Sequence, residues 1–455
     1  MNLIDRSRPA PGRVDIVPGP NPTDPCSNRR RSETAGAGVA AGPPQASLAW
    51  RMLAVLIAAV SIGSMGRYAV GPLSPFIIDH YGLSKAQFGA LSSAIGLGAI
   101  ATSYGIGLLI DRLGVRQVMR LGLLTIGVPL VAFFFPVDYG GAAVLLLLSG
   151  AGFSAISPLS SNGTASWFPP GARGMTVGFT QAGIPLGVAL AGLIMPRLAL
   201  ATGWNAALAI LGISVACAGL LLSLVYRDGP LPAAGRGRTA GPDGAARGRV
   251  SPWALVREDG MVWLYVLGLV MASTQNSVIA FLVPFIQDRW ALPVVTAGAL
   301  LSVSQFTGMG ARPVIGYVSD RFAGGRRKEM LVGIALLASG ALVLLAMSPA
   351  SLPSGVVAVL MVVVGLTTLS WSGLFFALNL EKARPGTAGA ASGLAVGVVM
   401  TGTLVGPALF GYLVDVATYA AGWLALAAGM AVAAGLFVWR FRERAAAPDR
   451  RAAEG

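Results

Sequence analysis

The chain has 455 residues, a mean hydropathy of +0.70 and only 11% charged residues against 55% hydrophobic ones. A soluble domain carries roughly 25% charged residues, so this composition excludes a soluble fold and points to a bilayer. The two cysteines, Cys26 and Cys217, and the single histidine, His80, exclude a disulfide framework, a zinc site and a multi-histidine metal centre; no cofactor is expected.

Residues 1–47 are rich in Pro, Gly, Ser and Arg, show no helical periodicity and hold no apolar signal-peptide core. They are expected to be a disordered cytoplasmic tail, or the product of an upstream start codon. Apolar runs follow near 50–77, 87–110, 118–136, 141–165, 174–199 and 204–226, each long enough for a hydrocarbon core that takes about 20 helical residues to cross. The polar, Gly/Pro/Arg-rich stretch 227–259 reads as a cytoplasmic linker. Six more runs lie near 260–286, 294–318, 329–348, 354–379, 387–413 and 419–440, and a charged tail, 441–455, closes the chain. The expected fold is all-α: twelve transmembrane helices in two pseudo-symmetric six-helix bundles, 48–226 and 260–440.

The net charge of +14 is placed asymmetrically. With a cytoplasmic N-terminus, Lys85, Arg197 and Arg289 fall outside, Arg67 and Arg312 fall inside the membrane, and the remaining 28 of the 33 Lys and Arg fall on the cytoplasmic side. That bias sets a multi-pass protein of the cytoplasmic (inner) membrane with both termini cytoplasmic. A nucleic-acid-binding tail at Arg29-Arg30-Arg31 lacks interleaved aromatics and a folded module, so no nucleic-acid partner is expected.

One stretch recurs. Gly107-Leu108-Leu109-Ile110-Asp111-Arg112-Leu113-Gly114-Val115-Arg116 ends the second run, and an offset of 209 gives Gly316-Tyr317-Val318-Ser319-Asp320-Arg321. Pro75, Asp79, Gly89, Ala90, Leu91 and Ser93 match Pro284, Asp288, Gly298, Ala299, Leu300 and Ser302 at the same offset. Weaker echoes pair Ala172-Arg173 with Ala383-Arg384 and Gly203-Trp204 with Gly422-Trp423. Internal symmetry between apolar halves is the mark of a secondary transporter. In the motif, Gly107 would admit a neighbouring helix. Asp111 and Arg112 would hold one conformation shut through a helix terminus or a facing charge. The plainer reading makes Arg112 and Arg116 simple interfacial anchors.

This doubled Gly-x-Leu-x-Asp-Arg-x-Gly-x-Arg loop resembles the signature of the major facilitator superfamily, over roughly residues 48–444. The segment from Arg67-Tyr68-Ala69-Val70 to Tyr81-Gly82-Leu83-Ser84 resembles the first span of the anion:cation symporters, in which an arginine serves organic acids. Trp167-Phe168-Pro169, Gly187 and Gly203-Trp204 resemble that group as well. Arg312-Pro313-x-x-Gly316 resembles the eighth-span motif of the monocarboxylate transporters, whose arginine meets a substrate carboxylate. Gly66 stands where the symporters carry an acid, which weakens the case for proton coupling. The fifth span holds only part of the glycine-proline motif of drug antiporters, Gly183-Ile184-Pro185-Leu186-Gly187.

Two intramembrane arginines carry the functional reading. An arginine in a span costs roughly 2.5–3.5 kcal/mol, so it faces a cavity or a partner. No acidic residue lies at mid-membrane beside Arg67 or Arg312; Asp79, Asp288 and Asp415 lie near span ends. An unpaired guanidinium suits a carboxylate. By the repeat, Arg67 maps to Asn276 and Arg312 to Ser103, so neither charge is a requirement of the shared scaffold. Tyr68, Asn162, Gln181, Gln275, Asn276, Gln305 and Trp371 could complete a substrate site, although each could instead serve as an interhelical hydrogen bonder. Asp79 and His80 form a candidate proton site on the outer side.

The expected protein is a monomeric transporter for a small organic anion, a monocarboxylate in the first instance, with protons as the candidate coupling ion. The alternatives are proton-coupled efflux of drug-like compounds and a transport-dead membrane sensor or scaffold. No Ser/His, paired-acid or metal constellation of an enzyme stands in the spans.

Overall fold

The computed structural model describes residues 43–230, 261–321, 327–383 and 388–440, all in helices or short connections. Most of the linker expected at 227–259 and both tails lie outside the described residues. The helices are α1 (Pro43–Tyr68), α2 (Ser74–Tyr81), α3 (Lys85–Val131), α4 (Tyr139–Phe153), α5 (Ile156–Trp167), α6 (Pro170–Gln181), α7 (Gly183–Thr202) and α8 (Trp204–Val225). After the linker come α9 (Met261–Trp290), α10 (Val294–Arg321), α11 (Arg327–Met347), α12 (Ser354–Thr368), α13 (Ser372–Lys382), α14 (Ala388–Val416) and α15 (Tyr419–Arg440).

Among the described residues, 11 helical stretches are long and apolar enough to cross a membrane. The first half of α3 supplies the twelfth crossing of the fold. Within α3 the chain reverses at Gly114, whose backbone is non-helical at φ 82° and ψ 170°. That conformation is open to glycine and strained for other residues, which explains the glycine of the charged loop.

Several spans are broken rather than continuous. The run expected over 50–77 ends as a helix at Tyr68, turns through Ala69–Leu73 and resumes as α2. The fourth span breaks at Ser154–Ala155, the fifth at Ala182 and the tenth between Thr368 and Ser372. Proline explains three of the four. Pro72, Pro158 and Pro185 each lack an N–H, and each ring crowds the carbonyl four residues earlier, on Tyr68, Ser154 and Gln181. The helices stop at or beside those carbonyls. Irregular backbone at membrane depth is tolerated where it lines a cavity or is buried in protein.

Glycine sets the close packing. A side-chain carbon on Gly98 or Gly150 would overlap the facing backbone, so α3 and α4 run backbone against backbone. Gly183 and Gly187 bring α7 onto Ile57, Ser61 and Met65 of α1 in the same way. Without a hydrophobic driving force in lipid, such contact is the main source of helix association.

The two halves meet at the end that carries the 82–84 loop. Phe88 of α3 stacks edge-on against Phe281 of α9 at 5.4 Å, and Phe281 reaches Phe410 of α14 at 5.0 Å. Lys85 Nζ bonds Asp288 at 2.9 Å, while the backbone N–H groups of Lys85 and Ala86 donate to Asp415 at 2.8 and 2.7 Å. Asp415, from α14, thereby caps the N-terminus of α3, beside the Ser84–Gln87 capping box. Ser302 of α10 donates to the Ala189 carbonyl of α7 at 2.7 Å. Toward the other end, Gly105, Gly178, Gly310 and Gly397 face open space. Among the described residues, these contacts between the halves gather at the end that carries the 82–84 loop.

Candidate functional site: a cavity on Arg67

A small cavity lies between the halves, beside the aromatic contacts. The end of α1 and its turn contribute Arg67, Tyr68 and Gly71; α3 contributes Ser92 and Ile95; α9 contributes Asn276 and Ile279; α14 contributes Thr403 and Pro407.

Arg67 is the charge in this cavity. It sits in the last turn of α1, directly before the proline-induced break, and is only 4% exposed. Its guanidinium carbon lies 4.7 Å from the ring centre of Tyr68 and 4.3 Å from that of Phe153, at the end of α4. Two breaks, at Tyr68 and after Phe153, thus place the cation and its aromatic neighbours together. The rings attract the cation through their quadrupoles but accept no strong hydrogen bond. Among the described residues, Arg67 has neither a carboxylate partner nor a hydrogen-bond acceptor. The planar fork of a guanidinium matches a carboxylate in geometry.

Asn276 lines the same cavity from α9, at the position that the repeat equates with Arg67. Its Nδ2 donates to the Ala272 carbonyl at 2.9 Å and to Thr403 Oγ1 at 3.0 Å. Tyr68, the third of the expected site residues to line the cavity, packs edge-on to Phe153 at 6.0 Å.

The remaining expected residues stand elsewhere. Arg312 is not among the residues that line this cavity: its Nε and Nη2 both donate to the Leu369 carbonyl at 3.0 Å. Leu369 ends α12, so Arg312 caps a helix C-terminus at the break in the tenth span, where a cation also complements the macrodipole. Trp371 is 1% exposed, and its Nε1 donates to Gln275 Oε1 at 2.9 Å, so these two hold the same break rather than line the cavity. Asn162 back-bonds to the Pro158 carbonyl at 3.1 Å. Gln181 Oε1 and Gln305 Nε2 are buried with no hydrogen-bond partner among the described residues, and neither lines the cavity. Asp79 and His80 are exposed at the end of α2, away from the cavity; His80 packs on Tyr81 and Trp204.

Of the repeated loops, the side chains of Asp111, Asp320 and Arg321 lie outside the described residues, as do those at Gly107. Arg116 Nε donates to the Ser223 carbonyl at 2.6 Å and ties the first loop to α8, while Arg112 is exposed. Among the described residues, no atom stands within 4 Å of the place a side-chain carbon would take on Gly316. Sequence reasoning missed Phe153, Ser92 and Thr403. The prolines at 72 and 158 were the available signal for the first, because they mark the breaks that bring Phe153 to Arg67.

The family model for the Major Facilitator Superfamily matches residues 56–401. An uncharacterised MFS-type transporter of Mycobacterium tuberculosis is 25% identical over 375 residues, covering 82% of this chain and 81% of the relative. The hexuronate transporter of Bacillus subtilis is 24% identical over 398 residues, covering 84% of this chain and 91% of the relative. Among solved structures, a bacterial homologue of the human lysosomal transporter Spinster, in an inward-facing and occupied conformation, superposes with a TM-score of 0.67. It is 16% identical, over 85% of this chain and 96% of that one. The helical fold, the doubled charged loop and the family match together establish that the chain belongs to the Major Facilitator Superfamily and is a multi-pass membrane transporter.

Proposed function

We propose that the protein carries a small organic anion, a monocarboxylate in its simplest form, across the cytoplasmic membrane by alternating access. The observation that supports this most is Arg67: buried, held between two rings, and aimed into a central cavity with no protein acceptor among the described residues. A carboxylate there neutralises the cation and occupies its fork. The resemblance to a transporter named for hexuronate, itself an organic acid, points the same way.

On a positive-inside reading, the end with the Lys85–Asp288–Asp415 contacts is taken as the outer one and the opposite end as cytoplasmic. Transport then requires those contacts to separate and the charged loops at 107–116 and 316–321 to close. Proton symport would supply the energy for uptake. The test is uptake of labelled carboxylates into proteoliposomes holding purified protein, with and without a proton gradient. Saturable uptake that Arg67→Ala abolishes, and that collapses with an uncoupler, supports anion symport. Uptake indifferent to the gradient leaves a facilitator, and no carboxylate uptake in either condition overturns the anion reading.

A further inference from the structure

The cavity carries a second polar group whose chemistry is fixed by its neighbours. Asn276 has two amide hydrogens, and both are engaged, one on the Ala272 carbonyl and one on Thr403 Oγ1. The orientation is not interchangeable. A carbonyl oxygen can only accept, so the atom facing Ala272 must be the nitrogen. Thr403 Oγ1 in turn donates to the Val399 carbonyl at 3.1 Å, which leaves its lone pairs for the amide. Asn276 Oδ1 is therefore an acceptor only, on a residue that lines the cavity across from Arg67.

We propose that Asn276 selects for hydroxylated organic acids, with the substrate carboxylate on Arg67 and a substrate hydroxyl donating to Asn276 Oδ1. This rests on the organic-anion reading above and narrows it. A donor is required because the amide presents no hydrogen to the cavity. A hydroxyl suits the site better than an ammonium, since the cavity already carries the Arg67 cation and no carboxylate from the described residues lines it. An acid lacking the hydroxyl leaves a buried acceptor unpaired, which on the usual scale weakens binding about 5- to 150-fold. The pairing also uses the fold's symmetry. Repeat-related positions on α1 and α9 hold complementary groups, so one substrate contacts both halves at once.

The experiment measures binding to purified full-length protein, by calorimetry, of matched sets: lactate, 2-methoxypropionate and propionate; mandelate, 2-methoxyphenylacetate and phenylacetate, the methoxy group of the last ether being on the α carbon. The wild type should bind the hydroxy acid most tightly and reject the ether as strongly as the unsubstituted acid, because the ether retains an oxygen but loses the donor. Asn276→Leu should bind all three members of a set alike. Should that variant fail to fold, Thr403→Val provides the second route: it frees one amide hydrogen, and the ether should gain affinity relative to the hydroxy acid. A residue that merely packs would not distinguish ether from alcohol. Arg67-dependent binding that is equal for the three wild-type ligands overturns the Asn276 assignment and leaves the anion reading intact. Acid binding that survives Arg67→Ala, or no acid binding at all, overturns both.

Discussion

Replacing Arg67 with Met should stabilise the empty protein and cut its response to ligand by half or more. An ion taken into the interior costs several kcal/mol even after relaxation. Here the return comes from the Tyr68 and Phe153 rings, at 4.7 and 4.3 Å, with no described acceptor. Each ring contributes about 0.5–2 kcal/mol. The balance is unfavourable until an anion arrives, so methionine, which fills similar volume without charge, should raise the unfolding midpoint in detergent. A carboxylate at 100 times its dissociation constant stabilises the wild type by about 2.7 kcal/mol. At the same ligand concentration Arg67→Met should keep only about 0.3–1.4 kcal/mol of that shift, because losing a charge-assisted contact of about 1.5–3 kcal/mol weakens binding roughly 10- to 150-fold. Arg67→Lys should keep the charge yet lose most of the affinity, since a point ammonium cannot grip both oxygens. Thermal unfolding with and without acid, alongside calorimetry, reads both effects. A midpoint that falls in Arg67→Met, or a ligand shift undiminished from the wild type, would show that Arg67 is a structural residue and refute the reasoning.

Arg312→Ala should act in the opposite sense, lowering the unfolding midpoint through loss of the cap on Leu369 while leaving acid affinity unchanged; a large affinity loss without destabilisation would return Arg312 to the substrate site. Asp415→Asn should open the closed end more than Asp288→Asn does. Asp415 accepts two backbone N–H bonds worth about 1.5–3 kcal/mol, whereas the half-exposed Lys85–Asp288 pair is worth about 0–1 kcal/mol. Labelling of a cysteine at Ile279 by an impermeant maleimide, in a background without Cys26 and Cys217, ranks the two, and equal labelling would contradict the capping account. Gly114→Ala should cost about 1–3 kcal/mol for its positive φ, read as a lower unfolding midpoint. An unchanged midpoint would show that the loop relaxes freely.

The spans themselves were legible because membrane helices must satisfy their backbone internally and so announce themselves as long apolar runs. The charged loop was legible as well, and Gly114 gives its glycine a direct cause in a φ of 82°. Hydropathy averages over a window, however, and could not show that the first, fourth, fifth and tenth spans are broken. The prolines at 72, 158 and 185 carried three of those breaks, read as the carbonyl four residues back rather than as the proline itself. Arg67 and Arg312 looked equivalent as charges in apolar runs. Only placement separates them, because the Leu369 carbonyl that engages Arg312 is exposed by a helix end with no proline to mark it. Asn276 was visible as a polar residue in a span, but its role depends on Thr403, 127 residues away in sequence.

The seam at the closed end is made largely of bare backbone. Gly71 abuts the Ile279 carbonyl, Gly89 the Pro407 carbonyl, Gly411 the Lys85 carbonyl, and Gly192 meets Gly298. At these glycines the faces meet without interlocking side chains, so it is the Phe88–Phe281 contact and the Lys85, Asp415 and Ser302 bonds that have to be undone for the halves to part. The same smoothness makes the seam intolerant of thickness. A single methyl group at Gly89 would press on the Pro407 carbonyl and stand between the halves like a doorstop, favouring a state with this end parted while changing no charged or titratable group. One hydrogen-to-methyl exchange therefore offers a way to hold the transporter in the conformation opposite to the one described.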